Sequence, residues 1–247
     1  MGNYETFYQL HHKETPLILA NAWNVKSAQI IEQNGYDAIG TSSGAISNSL
    51  GYEDGEKMPF DELFFVVQRI KASTNIPLSV DLERGYTNDL AVLTENIQRL
   101  VDIGVAGINL EDAQGEEIYL KKLHSIKNYL EKSNQKIFIN ARTDGFLLKV
   151  DAPLETTIKR AKAYQDAGAD GLFVTAVSDT ATIKEIASST TLPLNVVGSP
   201  KLSSIQTLSE CGVRRISMAV LLYRASYNQL DKLIKEVSAQ QSFGPLF

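Results

Sequence analysis

The segment SVDLERGY, residues 79–86, runs from small and apolar residues directly into carboxylates. This order is typical of the carboxyl end of a buried parallel strand, where the functional residues of β/α proteins collect. Asp81 and Glu83 lie two positions apart, so in an extended chain both side chains point to the same side. The segment therefore predicts a parallel β/α fold with an acidic site at one end of its sheet.

A second segment, GINLED at residues 107–112, repeats the pattern. Its Glu111 follows Asp81 by about one β/α unit, which places it on a nearby strand. Three carboxylates in one place repel one another unless a cation lies among them. Oxygen ligands of this kind favour Mg²⁺ or Mn²⁺. We therefore predict a divalent-metal site that contains Asp81, Glu83 and Glu111.

The composition excludes several classes of protein. The chain has 247 residues and a formal net charge of -5, which gives no general attraction to nucleic acid. The single cysteine excludes an internal disulfide framework and indicates the reducing cytoplasm. No apolar run approaches membrane-spanning length. We expect a cytoplasmic protein whose partner is a small molecule, with neither nucleic acid nor a membrane as a partner.

Short apolar stretches alternate with amphipathic, helix-like segments along the whole chain. The predicted strands are Leu17–Ala20, Ala38–Thr41, Pro77–Asp81, Gly107–Leu110, Ile137–Asn140, Gly171–Val174, Leu194–Val197 and Arg215–Ser217. The predicted helices are Val25–Asn34, Phe60–Ser73, Leu90–Ile103, Ile118–Lys132, Pro153–Ala167, Thr180–Ser188 and Ser203–Cys211.

Eight such units predict an α/β fold that is a single (β/α)₈ TIM barrel over residues 1–247, with C-terminal helices. Glycines directly after predicted helices support the units, because the residue past a helix end favours a left-handed conformation; they are Gly35, Gly104, Gly168 and Gly212. The alternative, an open doubly wound sheet, would be expected to carry a glycine-rich fingerprint after its first strand, which this sequence lacks.

Several other polar residues follow predicted strands, at what would be the rim of the barrel, its ring of carboxyl strand ends. Arg142 directly follows a strand, and its guanidinium could bind a substrate carboxylate, form an ion pair with a rim acid, or do both. The backbone N–H groups of Ser42–Gly44 are suited to an oxyanion. Asp112 and Asp144 either cap the next helix or belong to the site. Asn195 is a candidate for substrate binding.

Five motifs together resemble the isocitrate lyase/phosphoenolpyruvate mutase superfamily, in its phosphoenolpyruvate mutase-like and methylisocitrate lyase-like branch. They are NAWN at 21–24, TSSG at 41–44 with LGYEDGE at 50–56, the Asp81-x-Glu83-x-Gly85-Tyr86 run, GINLED at 107–112 and ARTD at 141–144. The similarity spans nearly the whole chain in the same order.

The resemblance implies a (β/α)₈ barrel that binds Mg²⁺, or Mn²⁺, and an α-oxo or 2-hydroxy acid. It implies Asp81 as the direct metal ligand, with Glu83 and Glu111 acting largely through bound waters and Asp54 pointing into the same site. It also implies a homodimer or a homotetramer.

The same resemblance assigns the substrate contacts. Ser42, Ser43 and Gly44 match the carboxylate-binding turn, and Arg142 matches the arginine that holds the substrate or stabilises developing charge. We expect Arg142, Glu111 and Tyr86 to be catalytic. The donor of the proton that completes the reaction stays open among Tyr86, Tyr52, the two glutamates 116–117 and a metal-bound water.

Differences between this sequence and the superfamily motifs reduce the number of candidate reactions. The segment Ala113–Glu117 is short and lacks both the cysteine of the isocitrate lyases and the polar gate of the mutases. Cys211 precedes the last strand, on the opposite face of the barrel, and cannot replace that cysteine. Thr175 stands where the lyases have an acid and the mutases a histidine.

These features favour a Mg²⁺-dependent lyase that cleaves a C–C bond, or decarboxylates, in a small α-oxo or 2-hydroxy dicarboxylic acid by way of an enolate. Two alternatives remain. One is P–C bond chemistry of the phosphoenolpyruvate mutase or phosphonopyruvate hydrolase kind, and the other is a non-catalytic barrel that binds an oxyacid.

Overall fold

The computed structural model describes residues 2–247 and contains a closed barrel of eight parallel strands in sequence order, in which β1 pairs with both β2 and β8. The strands are β1 Leu17–Ala22, β2 Ile39–Thr41, β3 Leu78–Asp81, β4 Gly107–Glu111, β5 Phe138–Thr143, β6 Gly171–Val174, β7 Leu194–Val197 and β8 Val213–Ser217. The predicted (β/α)₈ barrel is confirmed.

Helices connect the strands on the outside of the barrel. They are α1 Asn3–Leu10, α2 Val25–Gln33, α3 Ser43–Ser49, α4 Phe60–Lys71, α5 Leu90–Asp102, α6 Glu116–Lys132, α7 Pro153–Asp166, α8 Thr180–Ser188, α9 Ile205–Glu210 and α10 Leu221–Gln240, followed by a 3-10 turn at Gly244–Leu246. The sequence did not predict α1 or α3, which have eight and seven residues.

Side-chain caps fix where several helices begin. Asn24 and Ser27 form a reciprocal capping box at the start of α2. Asp89, Asp179 and Ser204 accept hydrogen bonds from the first-turn N–H groups of α5, α8 and α9. These caps set the entry of each helix after a strand and so define the loops that surround the site.

Helix α1 closes the amino-terminal end of the barrel. Its Phe7 is fully buried and packs edge-to-face on Phe138, the first residue of β5. The close approach requires Gly107, because a Cβ atom there would lie 2.8 Å from the Phe7 ring. Helix α1 therefore covers this end of the barrel.

The middle of the barrel interior is polar rather than aliphatic. Arg215 of β8 is fully buried, and its Nη2 donates to Oδ1 of Asn109 at 3.3 Å. Asn140 donates to the same oxygen at 2.9 Å. Burial lowers the pKa of Arg215 to about 9, although the nearby charge of Asp81 opposes this shift. A buried cation thus lies beneath the acidic rim.

None of the helices in residues 2–247 has the length and apolar character needed to span a lipid bilayer.

Candidate active site

Asp81 is the last residue of β3 and is held by β2 and the turn that follows it. Its Oδ2 accepts hydrogen bonds from the hydroxyl of Ser43 at 2.7 Å and from the N–H of Ser43 at 3.2 Å. Its own N–H donates to the hydroxyl oxygen of Thr41 at 2.9 Å. The other carboxylate oxygen, Oδ1, is buried and has no hydrogen-bond partner in residues 2–247. This rigidly held carboxylate has one oxygen free for a ligand.

The turn at Ser42–Gly44 differs from the sequence expectation. We expected its backbone N–H groups to bind a substrate oxyanion, but the N–H of Ser42 donates to the carbonyl of Ala22 and that of Ser43 donates to Asp81. The turn opens α3, and the Ser42 hydroxyl accepts from Ala45 as its cap. Two of the three N–H groups already have acceptors within the protein, so substrate binding by Ser42, Ser43 and Gly44 stays a prediction. Ser43 also positions Asp81.

Glu83 reaches the site by a different route from the one predicted. Strand β3 ends at Asp81, and Glu83 adopts a left-handed conformation with φ of 48°. The argument from two residues on one extended face is therefore wrong, although Glu83 is almost fully buried and lies among the site carboxylates. Gly85 and Tyr86 also have positive φ, at 97° and 61°. Because two of these three residues, Glu83 and Tyr86, are not glycine, the loop is strained and needs external support.

Glu56 supplies much of that support. One oxygen of its carboxylate accepts the N–H groups of Arg84 at 2.9 Å and Tyr86 at 2.7 Å, and the other pairs with the Arg84 guanidinium at 3.2 Å. The buried ammonium of Lys122 donates to the Arg84 carbonyl at 2.6 Å. These bonds fix the loop that presents Glu83.

Tyr86 donates its hydroxyl proton to Oε1 of Glu83 at 2.9 Å. Burial raises the pKa of Glu83 to about 7; the charge of Asp81 acts in the same direction, while the Tyr86 hydrogen bond acts against it. Tyr86 packs against Phe60 and does not line the cavity described below. The structure thus places Tyr86 behind Glu83.

Glu111 and Arg142 are direct register partners on β4 and β5. Arg142 belongs to the strand rather than following it, which corrects the predicted end of β5 at Asn140. Its Nη1 lies 2.9 Å from Oε2 of Glu111, and its Nε and Nη2 donate to the two oxygens of Asp144 at 2.9 Å each. Burial raises the pKa of Glu111 to about 8, against the opposing effect of Arg142. Arg142 is therefore held by two carboxylates.

Neither Asp112 nor Asp144 caps a helix. Oδ2 of Asp112 accepts from Arg160 at 2.9 Å and from the hydroxyl of Tyr164 at 2.6 Å. Asp144 accepts the hydroxyl of Thr175 at 2.6 Å in addition to Arg142. Both aspartates are buried, and they organise the ends of β4, β5 and β6 beside the site.

A cavity of about 780 Å³ opens at the rim and collects most of the predicted site residues. Asp54 lies against the backbone of Gly44, where a Cβ atom would be 2.9 Å from its carboxylate. Asn195, predicted to bind substrate, is buried in the barrel interior and does not line this cavity. The lining residues are Ser42, Ser43, Gly44, Asn48, Gly51, Tyr52, Glu53, Asp54, Gly55, Asp81, Glu83, Glu111, Arg142, Ala219, Val220, Tyr223 and Arg224.

The donor set fits a hard divalent cation held partly through water. The buried Oδ1 of Asp81 lacks a partner, and further carboxylates of Glu83, Glu111 and Asp54 line the same cavity. Across residues 2–247, no three His, Cys, Asp or Glu side chains are close enough together to ligate an ion directly. An arrangement with one direct carboxylate and outer carboxylates is one that Mg²⁺, which keeps several waters, can use.

The candidate proton donors occupy different places. Tyr52 lines the cavity, but its hydroxyl donates to Glu62 at 2.6 Å. Glu116 and Glu117 begin α6, do not line the cavity, and pair with Lys159 and Lys121. Cys211 ends α9 immediately before β8, at the amino-terminal end of the barrel, as expected.

Sequence reasoning missed residues that reach the site from outside the strand ends. Tyr223 and Arg224, in the first turn of α10, line the cavity, and the Tyr223 hydroxyl donates to Asn48 at 2.5 Å. The support role of Glu56 was also missed. Its position after two glycines in the loop before α4 was the available signal, since such loops carry functional residues.

Comparison with known proteins gives consistent matches over most of the chain. The family model described as phosphoenolpyruvate phosphomutase matches residues 7–238. Uncharacterized protein Rv1998c of Mycobacterium tuberculosis (strain ATCC 25618 / H37Rv) is 34% identical over 221 residues, which cover 89% of this chain and 84% of that protein. An oxaloacetate decarboxylase of Rhodopseudomonas palustris (strain BisB18) is 32% identical over 213 residues, which cover 81% of this chain and 72% of that enzyme.

A crystal structure from Burkholderia cenocepacia J2315, provisionally named a phosphonomutase, superposes with a TM-score of 0.89 at 32% sequence identity. The superposition covers 94% of this chain and 99% of that chain.

Proposed function

The chain belongs to the phosphoenolpyruvate phosphomutase family and is an enzyme of the lyase and mutase type, and we propose that it cleaves a C–C bond in a small α-oxo or 2-hydroxy dicarboxylate. Cleavage or decarboxylation would proceed through an enolate and depend on Mg²⁺ or Mn²⁺. The observation that carries the proposal is the buried Oδ1 of Asp81, which has no hydrogen-bond partner within residues 2–247 and lies in a cavity that four further carboxylates line.

Asp81 would hold the metal directly, and Glu83, Glu111 and Asp54 would hold it through water. The cation would supply Lewis-acid polarisation of the substrate carbonyl or hydroxyl oxygen. Ser43 and Thr41 keep the Asp81 carboxylate in one orientation, so little reorganisation is needed when the metal binds.

Arg142 would orient the substrate. A guanidinium has five N–H groups, and three of them already serve Glu111 and Asp144. The remaining two can donate to a substrate carboxylate or to the charge that develops on its oxygen. The bonds to Glu111 and Asp144 hold the planar group in place while it does so.

Glu111 would act in catalysis by holding both Arg142 and the metal-bound water. Tyr86 would act through Glu83, since its hydroxyl donates to that carboxylate and lies outside the cavity. We therefore propose that Tyr86, expected to be catalytic and one of the candidate proton donors, is a positioning residue. Water can supply the final proton, because Glu53 and Asp54 on the cavity wall are exposed to solvent.

A second candidate is P–C bond chemistry on a phosphonate or a phosphoenol acid. It is favoured by the 32% identity, over nearly the whole chain, to the structure provisionally named a phosphonomutase. The similarity to an oxaloacetate decarboxylase supports the first candidate to a comparable degree. The short segment Ala113–Glu117 favours the first candidate, since phosphoryl transfer needs water to be excluded by a closing loop.

A substrate panel tests the proposal. The enzyme with Mg²⁺ is incubated with oxaloacetate, isocitrate, methylisocitrate, phosphonopyruvate and phosphoenolpyruvate, and the products are followed by proton and phosphorus NMR. We expect a dicarboxylate to be consumed and pyruvate or glyoxylate to be released, with no turnover in the Asp81→Asn variant. New phosphorus signals with intact dicarboxylates would instead establish the second candidate, and silence across the panel would favour a non-catalytic oxyacid-binding barrel.

We also propose that the protein assembles as a homodimer or homotetramer through α10 and the segment that follows it. This region exposes several large apolar side chains, which are Leu221, Leu230, Ile234, Phe243 and Leu246. Light scattering should return a multiple of the 27.2 kDa chain mass. A mass equal to that of one chain would contradict assembly.

A further inference from the structure

Asn109 lies in the middle of β4 and faces the interior of the barrel, next to Asp81. The two residues are register partners on neighbouring parallel strands, so their side chains point to the same side of the sheet. The hydrogen bond between Asn109 and Arg215 of β8 reaches across the barrel, which confirms the inward direction. The side chain of Asn109 therefore lies beside the carboxylate proposed to hold the metal.

The amide oxygen of Asn109 is held by two donors. Nη2 of Arg215 donates to it at 3.3 Å, and Nδ2 of Asn140 donates to it at 2.9 Å. A guanidinium carries N–H donors and no acceptor, so the amide atom that faces Arg215 must be the oxygen. The Asn109 amide is thereby fixed in one of its two possible orientations, with its nitrogen on the edge away from these donors.

The amide nitrogen of Asn109 is available to a ligand. Asn109 lines a second part of the cavity, of about 560 Å³, which extends from Asp81 and Arg142 toward the loop after β7. Its Nδ2 donates to no group in residues 2–247. Nδ2 of Asn195 also lacks a partner there, but it is sealed inside the barrel, whereas Nδ2 of Asn109 keeps contact with the cavity.

Asn21 lines the same part of the cavity and shows the contrast. Its Nδ2 donates to the carbonyl of Thr41 at 2.8 Å, and its Oδ1 accepts the N–H of Met218 at 3.0 Å. The amide of Asn21 thus holds strand ends together on both of its edges. The amide of Asn109 is anchored on its oxygen edge alone and leaves its donor edge for a ligand.

We propose that the Asn109 amide binds the oxygen at C2 of the substrate, with an N–H group of Nδ2 donating to the oxygen of the 2-oxo or 2-hydroxy acid. This inference rests on the proposed function, since it assumes that the acid lies beside Asp81. A fixed N–H donor suits an oxygen that gains negative charge as the enolate forms, because hydrogen bonds to charged acceptors are the stronger ones. The charge of Arg215 on the oxygen edge polarises the amide and strengthens the donor.

Two stable acids that differ at C2 test this assignment without requiring turnover. 2-Oxoglutarate and glutarate share their chain length and both carboxylates, and the first alone has an oxygen at C2. Their dissociation constants are measured by calorimetry with saturating Mg²⁺ on the wild type, Asn109→Leu and Asn109→Asp. Asn128→Asp is the matched control, because Asn128 is an exposed asparagine on α6 away from both parts of the cavity.

The two variants of Asn109 separate ligand binding from folding. Asn109→Leu removes the donor, but it also leaves Arg215 and Asn140 without their acceptor. Asn109→Asp keeps an oxygen for both of these donors and replaces the cavity-facing nitrogen by an acceptor. Because both acids are dianions, the added negative charge weakens both affinities and cancels in their ratio.

We expect the wild type and Asn128→Asp to bind 2-oxoglutarate more tightly than glutarate. In Asn109→Leu this preference should fall by about 3- to 10-fold, the range of one hydrogen bond, while the affinities for glutarate and Mg²⁺ stay within about twofold of the wild type. In Asn109→Asp the preference should fall at least as far, because an oxygen then faces the C2 oxygen.

An unchanged preference for 2-oxoglutarate in Asn109→Asp would overturn the inference and leave the proposed function intact. A wild type that binds Mg²⁺ but binds the two acids equally, or binds neither, would overturn the proposed function, and the inference with it. A preference that falls only in Asn109→Leu, together with a loss of Mg²⁺ affinity, would show that Asn109 supports the metal site structurally, which also contradicts the assignment.

Discussion

Arg142 and Glu111 face each other across β4 and β5 as register partners, with their charged groups 2.9 Å apart. The pair is continued by Asp144, two residues after Arg142, whose two carboxylate oxygens accept hydrogen bonds from Nε and Nη2 of the guanidinium. A single arginine thereby connects the carboxylate proposed to act on the metal with the network at the ends of β5 and β6. These contacts depend on the planar guanidinium of Arg142, whose nitrogens point in several directions at once.

Arg142→Lys is expected to fail in spite of its conserved charge. One ammonium cannot satisfy Glu111 and both oxygens of Asp144, so a buried carboxylate oxygen loses its donor. We expect kcat/KM to fall by about 100- to 1000-fold and the free energy of unfolding to fall by about 2 kcal/mol. Steady-state kinetics and urea denaturation measure the two effects. A lysine variant with both values near those of the wild type would show that the fork is unnecessary.

The metal-free protein should lose stability as the pH rises through neutrality. Glu83 has a pKa of about 7 in the folded state, above its usual value of 4.5, because burial disfavours its charged form. The stabilisation of the folded protein by protonated Glu83 is therefore fully present below the pKa that this group has in the unfolded chain. It is lost as the pH rises through its folded-state pKa of about 7. Mg²⁺ requires the deprotonated carboxylate, so its stabilising effect should grow over the same range.

Thermal melts at about pH 5 and about pH 8 without Mg²⁺ check this expectation. The melting temperature should drop between the two in the wild type and drop less in Glu83→Gln, which cannot ionise. An equal drop in both proteins would assign the pH dependence to other groups.

The ion pair of Asp112 and Arg160 should be a main source of stability beside the site. Removing one partner of a buried pair leaves an uncompensated charge, so Arg160→Ala should cost about 3 to 5 kcal/mol. Tyr164→Phe, which removes one neutral donor to the same carboxylate, should cost about 1 to 3 kcal/mol. The exposed pair of Lys235 and Asp231 provides the control, and Lys235→Ala should change stability by less than about 1 kcal/mol.

Urea denaturation of the three variants ranks these effects. If Arg160→Ala and Lys235→Ala lowered the free energy of unfolding by the same small amount, the ion pair of Asp112 and Arg160 would not be a main source of stability.

The fold could be predicted from the sequence because short apolar strands alternate with amphipathic helices along the chain, and a glycine follows four of the helices. The acidic rim could also be predicted, since Asp81 and Glu111 are the last residues of neighbouring parallel strands and the pairing of those strands brings them together. Glu83 was placed in the site by an incorrect argument. The left-handed loop around it is held by Glu56, which accepts the N–H groups of Arg84 and Tyr86 across 28 and 30 positions, and no local pattern encodes such contacts.

Other parts of the site depend on tertiary contacts in the same way. The small residues of the Ser42–Gly44 turn predicted a site for an anion, but the sequence does not reveal that the N–H groups of Ser42 and Ser43 donate to Ala22 and Asp81. Arg224 was missed because it comes after the last strand, on a helix whose first turn reaches over the rim.

The central claim is that Asp81 is the direct ligand of a divalent metal, and Mg²⁺-dependent stabilisation tests it most directly. Melting temperatures are measured across a Mg²⁺ titration for the wild type, Asp81→Asn and the control Asp231→Asn, whose carboxylate is exposed on α10. A ligand that binds the folded state alone at 100 times its dissociation constant adds about 2.7 kcal/mol of stability. The account predicts a saturating rise in the wild type and in Asp231→Asn and none in Asp81→Asn; an equal rise in all three would contradict it.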